Sequence, residues 1–251
     1  MKRKCIIINA DDCGASSLVD EHIEQAILAG KITSTTVIVN MDDFEGAVLL
    51  YKKYNDRISF GWHINLSEGK PLLYSQLLLD KGYYIEKDGC VEFNGKAFWK
   101  KKLTHGMKVA IRNELKAQYS KLLDGGIILS HADGHHHIHT SPSLMFLVPS
   151  LLEELGVKKM RRMRNYVPFS LDYLIRKVIV GTVVITHPHI KMTDTFSYFQ
   201  EYIDNPNMPS GKTIELECHP GHPKYAEEEK VLLNSNLEKQ FGAKLISYKD
   251  L

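Results

Sequence analysis

Short apolar runs alternating with stretches of helical period constrain this chain most. Residues 5–9, 35–40, 58–66, 127–130 and 213–218 are apolar or β-branched and short enough to be strands. Between and after them, 16–29, 44–54, 109–123, 143–155 and 227–241 keep apolar side chains at helical spacing. Ser17 with Asp20 offers a capping box for the first helix, and Gly30 stands where its C-terminal cap belongs. Residues 159–163 and 244–248 read as two further short strands. Strand–helix alternation implies βα units and a parallel sheet, an α/β fold. At 251 residues the chain is expected to form one domain with a sizeable core. Residues 67–106 mix Gly, Pro, aromatic and charged residues and read as a lid-like excursion. Residues 167–211 carry apolar patches without a clear period.

Chemistry-bearing residues collect where these strands end. Asp11-Asp12 follows the first strand, His63 lies near the end of the third, and His219 follows the strand at 213–218. The run Ser130-His131-Ala132-Asp133-Gly134-His135-His136-His137-Ile138-His139 places five of the 12 histidines within ten residues. Strand C-terminal ends converge on one mouth in a barrel but spread along an edge in a doubly wound sheet, so a barrel is favoured. If the chain stays extended through the histidine run, Asp133, His135, His137 and His139 share one side and His136 faces away. One or two of these would ligate a metal; the others would orient ligands or touch substrate. Spacing does not decide which.

Carboxylates and imidazoles together suit a divalent ion, which lowers the pKa of a bound water and polarises a carbonyl. A second carboxylate can take the water's proton, and a histidine can protonate a leaving group. Asp11-Asp12, His63, one of the clustered histidines and His219 therefore make a hydrolase constellation. Taken singly, each has a duller reading: a polar turn for Asp11-Asp12, an ordinary hydrogen-bonded imidazole for His63 or His219. Their joint placement carries the argument.

Composition excludes more than it identifies. The 32 basic and 30 acidic residues leave a net charge of +2, with no general case for nucleic acid or membrane. The run Lys158-Lys159-Met160-Arg161-Arg162-Met163-Arg164 is either a solvated connection or an anion- or substrate-binding segment, with Arg162 and Arg164 as candidate contacts. Cys5, Cys13, Cys90 and Cys218 form no CxxC pair, so neither a cysteine zinc site nor a disulfide framework is suggested. The apolar run after Met1-Lys2-Arg3-Lys4 is too short for a signal segment, and no run reaches transmembrane length. A cytoplasmic protein is expected; a homodimer is compatible with the sequence.

Six motifs resemble the YdjC-like carbohydrate deacetylases, a family that includes chitooligosaccharide deacetylases. They are Asn9-Ala10-Asp11-Asp12-Cys13-Gly14, Thr33-Ser34-Thr35-Thr36, Gly61-Trp62-His63-Ile64-Asn65-Leu66, Gly69-Lys70-Pro71-Leu72, Asp133-Gly134-His135-His136-His137-Ile138-His139 and His219-Pro220-Gly221. The resemblance implies a TIM-barrel-like fold, regular or irregular, and metal-dependent removal of acetyl groups from N-acetylated sugars. By position it implies Asp12, His63 and His135 as metal ligands, Asp11 as base and His219 as acid. His137 and His139 would serve as substrate or ligand-orienting residues. Cys13 and Gly134 depart from the family's usual Phe and Ser. The implied cofactor is one divalent ion, Mg2+ or Zn2+, with Mn2+ or Co2+ also allowed. Two competing readings stand beside this one. A phosphoesterase on the same barrel would recruit His131, His137 and His139 for further metals, with the basic run taking phosphate. A sugar-binding protein would need the ligands without an acid or base.

Overall fold

The computed structural model describes residues 3–208 and 210–251. Its first half runs β1 (Cys5–Cys13), α1 (Ser17–Leu28), β2 (Ser34–Val37), α2 (Phe44–Tyr54) and β3 (Ser59–Ile64). An excursion follows: α3 (Gln76–Asp80), the antiparallel pair β4 (Tyr84–Lys87) and β5 (Cys90–Phe93), and α4 (Gly95–Lys100). Then come α5 (His105–Asp124), β6 (Ala132–Gly134), α6 (Leu147–Glu154), α7 (Leu171–Thr186), β7 (Thr195–Tyr198) and α8 (Phe199–Asp204). The chain closes with β8 (Thr213–Cys218), α9 (Ala226–Asn234), α10 (Leu237–Phe241) and β9 (Lys244–Leu245).

The main sheet is parallel throughout, in the order β6-β3-β2-β1-β8-β7, with β9 paired to the start of β1. Parallel strands covered on both faces read as continuous apolar runs. Accordingly Ile6, Ile7 and Ile8 in β1 are all buried. The two sheet edges meet through residues 158–166. Arg161 N donates to Ala132 O on one side, Lys191 N donates to Lys158 O and Tyr166 N to Phe196 O on the other. These bonds curl the sheet into a TIM-barrel-like (β/α) arrangement. The stretch 159–163 thus serves as a barrel stave held by single bridges, Ala132 to Met160 and Lys159 to Lys191.

Several elements differ from the sequence expectation for identifiable reasons. The helix expected from 143 begins at Leu147, because Pro149 lacks an N–H and is tolerated only in a first turn. The helix expected over 227–241 breaks at Ser235, whose backbone is extended, and restarts where Asn236 accepts from Lys239 N. Ser16, rather than Ser17 with Asp20, caps α1; the Asp20 carboxylate instead accepts from Gly14 N at 2.7 Å. The strand expected at 127–130 lies at Ala132–Gly134, although pairing with β3 starts where Ser130 N donates to Phe60 O. The 67–106 excursion is folded, its Tyr83, Phe93 and Phe98 buried in the main core. No described helix is long and apolar enough to cross a membrane.

Candidate metal centre and its surroundings

Adjacent strand residues normally point to opposite faces, so Asp11 and Asp12 should diverge. A register shift between Ala10 and Cys13 and a left-handed backbone at Asp12, φ 68°, prevent this. A bulge with a strained non-glycine residue is a device for re-aiming a side chain. Here both carboxylates reach one cleft at the barrel mouth.

The histidine run departs from extended backbone immediately after Gly134. His136 and His137 both adopt left-handed conformations, φ 50° and 53°, inside a 3₁₀ turn spanning His135–Thr140. The expected sharing of one side by Asp133, His135, His137 and His139 therefore fails. His135 and His137 line the cleft. His139 does not line it; it is buried and lines a separate small pocket with Thr140, Met145, Met160 and Met163. A Cβ on Gly134 would stand 2.7 Å from His139 Nδ1, so the close-packed ring explains glycine here.

Three ligand atoms meet. Asp12 Oδ1 lies 3.1 Å from His63 Nε2 and 2.8 Å from His135 Nδ1, and the two nitrogens are 3.2 Å apart. Donors at about 2.1 Å from one ion stand about 3.0–3.4 Å from each other, so this set fits a divalent cation. Asp12 Oδ1 is buried and takes no well-formed hydrogen bond, consistent with a lone pair kept for an ion. Each imidazole is backed by a carboxylate. His63 Nδ1 donates to Asp133 Oδ1 at 2.6 Å, and His135 Nε2 to Glu68 Oε1 at 2.9 Å. Burial alone would lower both imidazole pKa values. Asp133 and Asp11 outweigh it for His63, and Asp12 and Glu68 for His135, so both rings hold a proton above their usual range until a cation displaces it.

Beneath this triad lies a fully buried Arg161. Its Nε donates to Glu215 at 2.7 Å; Nη1 reaches Asp11 Oδ2 at 2.6 Å and Glu217 at 2.8 Å. Nη2 reaches Asp11 Oδ1 at 2.7 Å and Asp133 Oδ2 at 2.8 Å. Burial pushes the Asp11 carboxyl up, but the bidentate guanidinium overrides it and holds that carboxyl well below the usual range. Burial pushes Glu215 up to about 7, with Tyr248 Oη donating to it at 2.5 Å. One of the four carboxylates around the single guanidinium thus carries a proton readily.

His219 Nε2 lies 3.2 Å from Glu217 Oε1, and its ring stacks on Tyr225 at 4.3 Å between centroids. Burial would lower its pKa, but Glu217 and Glu228 raise it above the ordinary value, which favours the protonated ring. One ligand atom each from Asp11, Glu217 and His219 lies within 4.8 Å of the others. His137 Nε2 meets Tyr198 Oη at 3.1 Å. The cleft holding these groups measures ≈ 1180 Å³, room for a sugar or a short oligosaccharide.

Asp11, Asp12, His63, His135, His137 and His219 thus line one cleft, as expected from strand-end convergence. Arg162 and Arg164 do not line it. Arg162 donates to the carbonyls of Thr193 and Asp194, and Arg164 pairs with Glu201. Of the basic run, Arg161 is the residue that reaches the site. Sequence reasoning missed it, together with Glu68 and Glu217. A signal for Glu217 was present: Glu215 and Glu217, two apart on a buried strand, must both point to the barrel interior. Cys13 is packed in the core.

The family described as YdjC-like protein matches residues 5–243. A carbohydrate deacetylase of Geobacillus stearothermophilus is 30% identical over 223 residues, 88% of this chain and 81% of that one. A carbohydrate deacetylase of Clostridium beijerinckii is 28% identical over 229 residues, covering 86% and 81%. Another from Brevibacillus brevis is 34% identical over a shorter stretch, 61% of this chain and 57% of that one. Among solved structures, a protein from Enterococcus faecalis V583 named for cellobiose-phosphate cleavage shares the fold. It has a TM-score of 0.76 over 99% of both chains at 20% identity.

Proposed function

The chain belongs to the YdjC-like family, and we propose that it is a metal-dependent deacetylase of N-acetylated sugars. The observation that carries the reading is the meeting of Asp12 Oδ1, His63 Nε2 and His135 Nδ1 in a sugar-sized cleft that also holds Asp11 and His219. Relatives named carbohydrate deacetylase support the substrate class.

Asp12, His63 and His135 would hold the ion. A bound divalent ion supplies Lewis acidity, polarising the acetyl carbonyl and acidifying water. Asp11 takes the proton from the attacking water. Its pairing with Arg161 keeps it ionised at any working pH but makes it a weak base, which is why the water needs acidifying. His219, whose protonated form Glu217 and Glu228 favour, gives its proton to the departing amine, a poor leaving group unless protonated. Glu217 and the Tyr225 face keep the His219 ring in place. His137, tied to Tyr198, forms part of the cleft wall that meets the sugar. Two nitrogens and one carboxylate suit Zn2+, and an octahedral shell completed by water suits Mg2+, Mn2+ or Co2+.

The phosphoesterase alternative loses its phosphate-binding cations. Arg161 is enclosed by four carboxylates, and Arg162 and Arg164 are tied to carbonyls and Glu201. The reading also places the protein in the reducing cytoplasm, in keeping with its four free cysteines. It further places a homodimer contact on α7. Leu171, Ile175, Val178 and Ile185 on this helix, and Phe169 just before it, are each at least half exposed. Light scattering at micromolar protein tests it, and a monomer rejects it.

The activity test is acetate release from N-acetylated mono- and disaccharides with each metal supplied. His219→Ala should retain metal yet release acetate far more slowly, with a smaller deficit on an activated ester. An equal loss on amide and ester removes His219 from the acid role. Release of phosphate but never acetate by the wild type rejects the deacetylase reading.

A further inference from the structure

We infer that Glu68 is a positioning residue that locks His135 in the Nε2–H tautomer, so that the ring offers its Nδ1 lone pair to the metal. The inference rests on the proposed metal centre. It starts from an asymmetry between the two imidazoles. His63 lies on the six-residue strand β3 and is backed by Asp133, which is fully buried. His135 stands at the head of the 3₁₀ turn, just beyond the three-residue strand β6, followed by two left-handed residues. Its backbone is less regular than that of His63, so its ring needs a side-chain partner to orient it.

Glu68 supplies that partner from the loop after β3. A carboxylate only accepts, so the 2.9 Å contact from Glu68 Oε1 requires the proton on His135 Nε2. Nδ1, which faces Asp12 Oδ1 at 2.8 Å and His63 Nε2 at 3.2 Å, is then the nitrogen left to bind the ion, giving up to it the proton it shares with Asp12. The loop is built to hold this pose. Buried Asn65 accepts from Ser67 N at 3.0 Å and Glu68 N at 3.3 Å, and its amide donates to Glu68 O at 2.9 Å. Gly69 follows at φ 71°, a turn conformation that side chains disfavour. The Glu68 side chain is 47% exposed and lines the cleft, whereas Asp133 is sealed. The loop that opens the excursion therefore carries an orienting group of the metal centre to the substrate side. A carboxylate behind a metal-bound imidazole sets its tautomer and raises its donor strength.

The test uses the full chain with Glu68→Ala and Glu68→Gln, both foldable changes at a half-exposed position. Zn2+ affinity is read by competition with a chelating dye. The tautomer of His135 is read by long-range 1H–15N NMR on metal-free protein at a pH where the ring is neutral. Glu68→Ala should bind Zn2+ about 10–100-fold more weakly and show mixed tautomers. Glu68→Gln, whose amide oxygen can still accept from Nε2–H, should recover most of both. Unchanged affinity in Glu68→Ala overturns the inference and leaves the metal centre standing. A Gln variant as weak as Ala shows that charge alone matters and also overturns it. A wild type that binds no Zn2+ overturns the metal centre, and the tautomer readout then decides the inference: Nε2–H in wild type but not in Glu68→Ala upholds the lock, and any other pattern overturns it.

Discussion

Replacing Arg161 with lysine keeps the charge and removes the fork. The guanidinium makes five contacts of 2.6–2.8 Å, to Glu215, Glu217, Asp133 and both oxygens of Asp11. An ammonium has three donors, so at least two charge-assisted bonds are lost, each worth about 1.5–3 kcal/mol. Arg161→Lys should therefore lose ~3–6 kcal/mol, a large share of a domain's ~5–15 kcal/mol. Equilibrium urea unfolding, compared at matched slopes, measures it. The pH dependence follows from Asp11. Its folded pKa is depressed, so its contribution is present above the unfolded value of about 4 and is lost as pH falls through the folded one. In Arg161→Lys that contribution shrinks, so the gap between wild type and variant should narrow as pH drops below about 4. A loss under about 1 kcal/mol at pH 7 would show that water or rearranged carboxylates replace the fork, refuting the reasoning from five fixed contacts.

Asp11→Asn should lower kcat by roughly 10²–10⁴ while metal stoichiometry is unchanged; loss of metal would make Asp11 a ligand instead. Asp20 behaves oppositely to Asp11. Burial raises its folded pKa to about 7 from 3.8, so the stability tied to its protonated form is present below that lower value and is lost as pH rises through the upper one. Asp20→Asn should flatten the Tm profile between those values, and an unaltered slope would contradict it. Tyr248→Phe removes the donor to Glu215 but keeps the ring stacked on His131 at 3.6 Å. A cost of about 1–3 kcal/mol in urea unfolding is expected, and a neutral result would mean Glu215 finds another donor.

By itself the sequence determined the alternation of apolar strands and amphipathic helices. It also determined that Asp11, Asp12, His63, the histidine run and His219 end up at strand C-termini. Those properties follow from local period and composition, which each segment carries alone. The barrel's closure did not: residues 158–166 join β6 to β7 by scattered bridges that have no periodic signature. Nor did the direction of individual side chains. Strand alternation would separate Asp11 from Asp12 and align His139 with His135, and left-handed backbone at Asp12, His136 and His137 reverses both outcomes. Such conformations are imposed by long-range packing rather than by local preference. The same cause decided which arginine mattered. Arg161, Arg162 and Arg164 are equivalent as text, but only Arg161 projects into a barrel interior already lined by Asp11, Asp133, Glu215 and Glu217. A buried cation is tolerated only where such partners converge, and that convergence from three separate strands exists only in the folded chain.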